Sequence, residues 1–141
     1  MKNFYIALLG CFIATGALAQ NSLVVIANPT VAVDKVDASQ VTQIFLKQIQ
    51  TWPDGKPIQP IDIKEGSPLR TDFYSKITGR SPGQMRSYWA RQAFTGMGFP
   101  PKELATADDV SKAVQATPGA IGYIDKKNAT GSAKIVLDPR P

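Results

Sequence analysis

Apolar and polar positions along this chain alternate between short continuous apolar runs and helical stripes. Residues 23–27 form a continuous, largely β-branched run, the pattern of a strand buried on both faces. Leu69, Phe73 and Ile77 recur at every fourth position, which predicts the buried stripe of a helix. The alternation of these two patterns is typical of an α/β fold, a mixed sheet flanked by helices. We predict strands at residues 23–27, 58–63, 120–124 and 134–137.

Residues that cap helices precede the apolar stripes. These residues are Asp37 or Ser39, Ser67, Ser81, and Thr106 or Asp108. Ser67 is followed by Pro68, which suits the first helical turn, and we predict that the Ser67 oxygen accepts a hydrogen bond from the helix backbone. Ser81 and Gln84 have the spacing of a capping box.

The N-terminal segment has the pattern of a cleavable signal peptide. Lys2 gives a positive start, residues 4–15 are mostly apolar, and Ala17-Leu18-Ala19 supplies a small-x-small cleavage site. A transmembrane anchor is disfavoured because the apolar run is interrupted and shorter than the ~20 residues that span a bilayer. We therefore predict a signal peptide at residues 1–19, export to the periplasm or medium, and one domain at residues 20–141.

A second interpretation of the N-terminus is a lipoprotein signal. Leu8-Leu9-Gly10-Cys11 resembles a lipobox, in which Cys11 would be acylated. The apolar run continues through residues 12–14, however, whereas a lipidated cysteine normally closes that run. We keep acylation of Cys11 as the less favoured alternative, and we expect no stable membrane insertion after cleavage.

The composition excludes several kinds of chemistry. The chain has no histidine and a single cysteine, Cys11, which lies within the predicted signal peptide. The mature protein would lack a thiolate nucleophile, an imidazole base, and cysteine or histidine metal ligands. We predict no enzymatic activity, no metal and no cofactor. The formal net charge is +5, but Arg80, Arg86 and Arg91 do not share one helical stripe, so we predict no nucleic-acid binding.

The best candidate for a binding site is the predicted strand-to-helix junction at residues 62–70. A helix N-terminus presents unpaired N–H groups and the positive end of the helix dipole, which suits an anion. Gly66 permits a close approach, the Ser67 hydroxyl can donate to an oxyanion, and Arg70 can supply a bidentate guanidinium. These residues form the predicted anion site, with a simple capping role for Ser67 and a solvated Arg70 as the alternative.

Three segments of the chain carry recognisable motifs. The first is residues 36–54, with Ile44-Phe45-Leu46 and Trp52-Pro53-Asp54. The second is Glu65-Gly66-Ser67 with Arg70, Phe73 and Tyr74, and the third and most specific is Thr117-Pro118-Gly119-Ala120-Ile121-Gly122-Tyr123-Ile124. Together these segments resemble the periplasmic phosphate-binding proteins of ABC transporters. The resemblance implies a lobe of a periplasmic-binding-protein-like fold, a ligand such as phosphate or another oxyanion, and a role in ABC-type uptake.

The chain departs from that family in length and in the site. A two-lobed binder needs about twice this length, so the resemblance covers a single lobe. The family's glycine-serine helix start continues with glycine and threonine, where this chain has Pro68 and Leu69. The arginine that binds phosphate in the family lies a few residues before the serine, where this chain has Asp62-Ile63. Two roles follow as expectations: a weak anion binder, or an interaction scaffold that has lost its ligand. In either case the face left by the missing lobe would meet a protein partner or a second copy.

Overall fold

The computed structural model describes residues 22–139. The predicted signal peptide and Cys11 lie outside the described residues. The elements are β1 (Leu23–Ala27), α1 (Ala38–Phe45), β2 (Gln59–Ile63), α2 (Pro68–Phe73) continued by a π-helical turn (Tyr74–Thr78), α3 (Pro82–Phe94), β3 (Lys102–Leu104), α4 (Ala107–Ala116), β4 (Ala120–Asp125) followed by a 3₁₀ turn (Lys126–Asn128), and β5 (Lys134–Leu137).

The strands form one mixed sheet in the order β3-β2-β4-β1-β5. β2 runs parallel to both β3 and β4, whereas β1 is antiparallel to β4 and to β5. The carboxyl ends of β2, β3 and β4 therefore lie at the same edge of the sheet. In this type of sheet, ligands commonly bind beyond the carboxyl ends of parallel strands.

The core is centred on β1 and β4. Every residue of β1 is buried, as expected for a strand covered on both faces. On one face an aromatic group joins α1, α2 and β4 through Phe45, Phe73 and Tyr123. α4 packs against β4, where Gly122 leaves no room for a side chain, because a Cβ atom there would lie 2.6 Å from Val110 Cγ1.

The predicted α/β class and the four predicted strands are confirmed. The helix over residues 68–78 buries Phe73 and Ile77 as predicted, while Leu69 is only half-buried. The capping box of Ser81 and Gln84 is present in full. The predicted cap by Ser67 is wrong, because its side chain makes no capping hydrogen bond with α2. The short strand β3 was not predicted.

Candidate functional site

The junction between β2 and α2 lies at the edge of the sheet formed by the carboxyl ends of the parallel strands. The Lys64 N–H donates to the Leu104 carbonyl oxygen at 2.9 Å, which fixes the junction beside the end of β3. The chain then turns through Gly66, whose φ of +93° is favoured for glycine and strained for other residues. Gly66 is exposed, and open space surrounds the position of a Cβ atom there.

Ser67 is half-buried and has an extended backbone at the start of α2. Its carbonyl oxygen accepts from the Thr71 N–H at 3.1 Å, the first hydrogen bond of the helix. Pro68 occupies the first helical position and has no N–H, so the first turn of α2 has one fewer backbone donor that needs a partner. The Ser67 side chain makes no capping hydrogen bond with this helix.

Arg70 points back toward the sheet and is held by oxygens from β2 and β3. Its Nη1 atom donates to the Ile63 carbonyl oxygen at 2.9 Å and to Glu103 Oε1 at 2.6 Å. The same nitrogen lies 3.7 Å from Asp62 Oδ2, and the guanidinium lies over the ring of Tyr74. With a side chain only 12% exposed, Arg70 is a structural cation as well as a candidate ligand.

Asp62 is a buried carboxyl group on β2, surrounded by donors. Its Oδ1 accepts from the Ile63 N–H at 2.8 Å and from the Tyr123 hydroxyl, and its Oδ2 accepts from the Tyr74 hydroxyl at 2.6 Å. Burial raises the pKa of Asp62, while the positive charge of Arg70 and these hydrogen bonds oppose that rise. The group links β2, β4 and the helix after β2 into one network.

The two tyrosines in this network are donors rather than candidate bases. Burial, together with the neighbouring charge of Asp62, raises the pKa of both Tyr74 and Tyr123 well above the usual value for a phenol. Both hydroxyls therefore keep their protons at neutral pH. The network of Asp62, Tyr74 and Tyr123 therefore supports the junction between β2 and α2, and none of these three buried side chains is an exposed nucleophile.

The space at the junction is small. A cavity of about 10 Å³ is lined by residues that include Gly66, Arg70 and Tyr74, and Ser67 is not part of its wall. That volume suits about one water molecule. The structure thus brings Gly66 and Arg70 to one small cavity, with Ser67 adjacent in the chain. An anion at this junction would rest on the surface of the lobe and would need an opposing wall to be enclosed.

Larger cavities lie at the other edge of the sheet, where β2 and β4 begin. One of about 340 Å³ lies beside Trp52 and Gly119, which are joined by a 3.0 Å hydrogen bond from the indole N–H to the carbonyl oxygen. Two others, of about 430 and 390 Å³, share Ile44, Ile49 and Ile58 as apolar walls. These three cavities are therefore distinct from the predicted anion site, which lies at the opposite edge of the sheet.

Sequence reasoning did not anticipate the roles of Asp62, Tyr74 and Tyr123. An aspartate between two isoleucines of a strand is a signal that could have found this network, because a buried carboxyl group requires donors. The partners themselves come from elements far apart in the chain.

Comparisons with known proteins show which solved structures share this fold. No protein-family model matches the sequence, and no curated protein matches it. The structure is similar to an ABC-type phosphate transport receptor from Vibrio cholerae, with a TM-score of 0.66 and 17% identity, over 84% of this chain and 48% of the receptor. It is also similar to a putative phosphate ABC transporter substrate-binding protein with bound phosphate from Clostridium perfringens (TM-score 0.63, 18% identity, 82% and 44% of the two chains). PstS from Borrelia burgdorferi is similar as well, with a TM-score of 0.63 and 16% identity, over 82% of this chain and 46% of PstS.

The class of fold follows from these similarities. The chain has the fold of one lobe of a substrate-binding protein, and it spans about half the length of the receptors it resembles. The resemblance predicted from the sequence is confirmed at the level of the fold. At 15–18% identity the similarity extends to the fold alone.

Proposed function

We propose that this protein is an exported, non-enzymatic solute-binding-like module that binds phosphate or another small oxyanion at Gly66, Ser67 and Arg70, in the service of an ABC-type uptake system. One observation carries the proposal. A left-handed glycine and a serine hydroxyl that does not cap its helix lie together at the carboxyl end of β2. The lobe shares its fold with proteins described as phosphate receptors, one of them with phosphate bound.

An anion at this site would make few contacts, and one of its ligands, Arg70, already bonds to other residues of the protein. Ser67 can donate its hydroxyl, and the backbone around Gly66 can approach an anion closely. Arg70 adds positive charge, although its Nη1 already serves Ile63 and Glu103. A single open lobe leaves the ligand hydrated on one side, so we expect a Kd on the order of 0.1–1 mM, equivalent to about 4–5.5 kcal/mol. Tighter binding would require an opposing wall from a partner or a second copy.

A second candidate function is an interaction scaffold without a ligand. The engagement of Arg70 with Asp62 and Glu103, and the small size of the cavity beside it, favour this candidate. In this case the edge formed by the carboxyl ends of β2, β3 and β4 would meet a protein partner, and the network of Asp62 with Arg70 and the two tyrosines would serve stability alone.

Titration calorimetry at low ionic strength with phosphate, sulfate and acetate separates the two candidates. Ser67→Ala is the informative variant, because it removes a hydroxyl that makes no capping bond. We expect it to weaken phosphate binding about ten-fold, the loss of one charge-assisted hydrogen bond. Ser75→Ala, which removes an exposed serine in the following π-helical turn, is the matched control and should bind like the wild type.

Added salt should weaken wild-type binding, since the site is exposed and charged. Arg70→Lys keeps the charge but removes the planar guanidinium, and its stability is to be measured alongside its affinity because Arg70 also supports Asp62. If the folded wild type shows no binding up to roughly 10 mM phosphate, the anion site is rejected and the scaffold candidate remains.

Export is tested independently by the mass of the protein recovered from cells. The proposal expects a mature N-terminus at Gln20 without lipid. A diacylglyceryl group on Cys11 would establish the alternative, attachment to a membrane surface by acylation.

A further inference from the structure

The second half of α3 and the loop after it form a projecting arm, residues 90–101, that packs little against the rest of the lobe. Up to Trp89 the helix is anchored: Met85 and Trp89 are buried, and the Tyr88 hydroxyl donates to the Leu46 carbonyl oxygen at 2.8 Å. From residue 90 to residue 100 no residue is buried, and the chain regains the core only at Pro101.

The arm exposes three large apolar side chains. Phe94 is 93% exposed, Met97 73% and Phe99 70%. Phe94 is the last residue of α3, whereas Met97 and Phe99 lie on the irregular loop that follows. Gly96 and Gly98, both with positive φ, separate the three side chains. Large apolar side chains grouped on a surface usually mark a contact with another apolar phase or molecule.

The arm also lies in the most basic part of the chain. Residues 73–102 contain Lys76, Arg80, Arg86, Arg91 and Lys102 and no acidic residue. The remaining sequence holds eleven basic and eleven acidic side chains, so the whole formal net charge of +5 falls within this stretch. Lys76 and Arg86 are paired with Asp72 and Glu65, whereas Arg91, within the arm, and Lys102, directly after it, are exposed.

Lys102 connects the arm with a cavity. It lies three residues after Phe99 and lines the 390 Å³ cavity together with Lys47, Gln50 and Gln59. Among the residues that the structure describes, no carboxylate belongs to that wall. The nearest acidic residue in the sequence, Glu103, is occupied by Arg70. The cavity beside the end of the arm therefore combines the ammonium groups of Lys47 and Lys102 with apolar walls. This combination suits a lipid headgroup phosphate that lies above acyl chains.

We propose that the arm binds the surface of an anionic phospholipid bilayer, inserting Phe94, Met97 and Phe99 between headgroups that pair with Arg91 and Lys102. The charge of the arm argues against pairing with the arm of a second copy, because that would bring like charges together. Separate apolar tips, one at the end of α3 and two on the glycine-containing loop after it, suit a fluid interface better than the shaped surface of a folded partner. Within residues 22–139, no helix has the length and apolarity needed to cross a bilayer. This inference is independent of anion binding at Ser67.

A tryptophan on the arm reports its environment directly. Trp52 and Trp89 are buried, so the emission of Met97→Trp stands out against them. We expect a blue shift when vesicles of mixed phosphatidylcholine and phosphatidylglycerol are added, and none with phosphatidylcholine alone. Ile135→Trp, on the exposed edge of β5, is the matched control and should not shift. Because the reporter lies on the arm, any membrane binding by the N-terminal segment does not imitate this signal.

The charges are tested in the Met97→Trp background by vesicle titration. Arg91→Gln and Lys102→Gln should each lower the affinity for anionic vesicles about five-fold, whereas Lys127→Gln, an equal change of charge elsewhere, should leave it unchanged. Unaltered thermal unfolding shows that the variants are folded. The proposal is overturned if the shift is absent with anionic vesicles or equal with neutral ones. A shift that grows with protein concentration without lipid would overturn it in favour of a second copy.

Discussion

The ring of Tyr123 lies flat against the ring of Phe73, with centroids 3.9 Å apart and planes inclined by 5°. Tyr123 belongs to β4 and Phe73 to α2, so the stack attaches the helix after the candidate site to the centre of the sheet. The Tyr123 hydroxyl continues to Asp62 on β2. A single side chain thus joins the three elements that set the position of the junction at Gly66 and Ser67.

Removal of that hydroxyl should be costly. Tyr123→Phe keeps the ring stack but leaves the buried carboxyl group of Asp62 without one donor, so we expect a loss of about 1.5–3 kcal/mol in the free energy of unfolding. Tyr88→Phe is the control: it removes a bond to the Leu46 carbonyl oxygen, a neutral acceptor, and should cost about 0.5–1.5 kcal/mol. Urea denaturation measures both. An equal or smaller loss for Tyr123→Phe would contradict the importance assigned to the Asp62 network.

Gly122 should not tolerate a side chain. A Cβ atom there would lie 2.6 Å from Val110 Cγ1 and 3.1 Å from Val114 Cγ2, so Gly122→Ala forces α4 away from β4. We expect a destabilisation of about 1–3 kcal/mol from overpacking. Gly83→Ala, in the first turn of α3, meets only ordinary contacts and should be neutral or stabilising by up to about 1 kcal/mol. Thermal unfolding compares them, and similar melting temperatures for the two variants would refute the close packing.

The parts of the fold that local patterns determine were predictable. The apolar run of β1, the alternation of strands and helices, and the capping box at Ser81 and Gln84 each follow from neighbouring residues. β3 could not be predicted, because its three residues include Lys102 and Glu103 and lack a strand pattern. They are extended because they pair with residues 61–63 of β2. That pairing depends on residues 41 positions earlier in the chain.

The same division applies to the candidate site. The sequence placed Gly66 and Ser67 at a strand-to-helix junction, which local chemistry suffices to indicate. It did not indicate that Arg70 is held by Glu103, because a contact across 33 positions arises only from the parallel pairing of β2 and β3. It also predicted a cap by Ser67, since residue type alone does not determine the direction of a hydroxyl group. Whether Gly66, Ser67 and Arg70 bind an anion stays a prediction.

Asp62 should make stability depend on pH in a definite direction. Its pKa is raised above the usual 3.8, mainly by burial, so between 3.8 and the raised value the folded state holds more protons than the unfolded state. Stability from this group is therefore greatest below that interval and declines as the pH rises through it. Asp62→Asn cannot titrate. We expect the unfolding free energy of this variant, relative to the wild type, to increase as the pH rises above about 4. Denaturation curves at a series of pH values measure the difference; a relative decrease would mean that pairing with Arg70 outweighs burial.

Two serines that precede helices offer a sharp contrast in stability. Ser81 accepts from the Gln84 N–H at 3.2 Å, and the Gln84 side chain accepts from the Ser81 N–H at 2.8 Å, so Ser81→Ala should cost about 1 kcal/mol. Ser67 makes no capping bond, and Ser67→Ala should change the unfolding free energy by less than about 0.5 kcal/mol. Urea denaturation without added anions measures both values. If Ser67→Ala proves as costly as Ser81→Ala, the Ser67 hydroxyl serves the helix in solution, and a loss of phosphate binding in that variant no longer identifies a ligand contact. If only Ser81→Ala is costly, the hydroxyl of Ser67 is available to a ligand, and its removal tests binding without a change in fold.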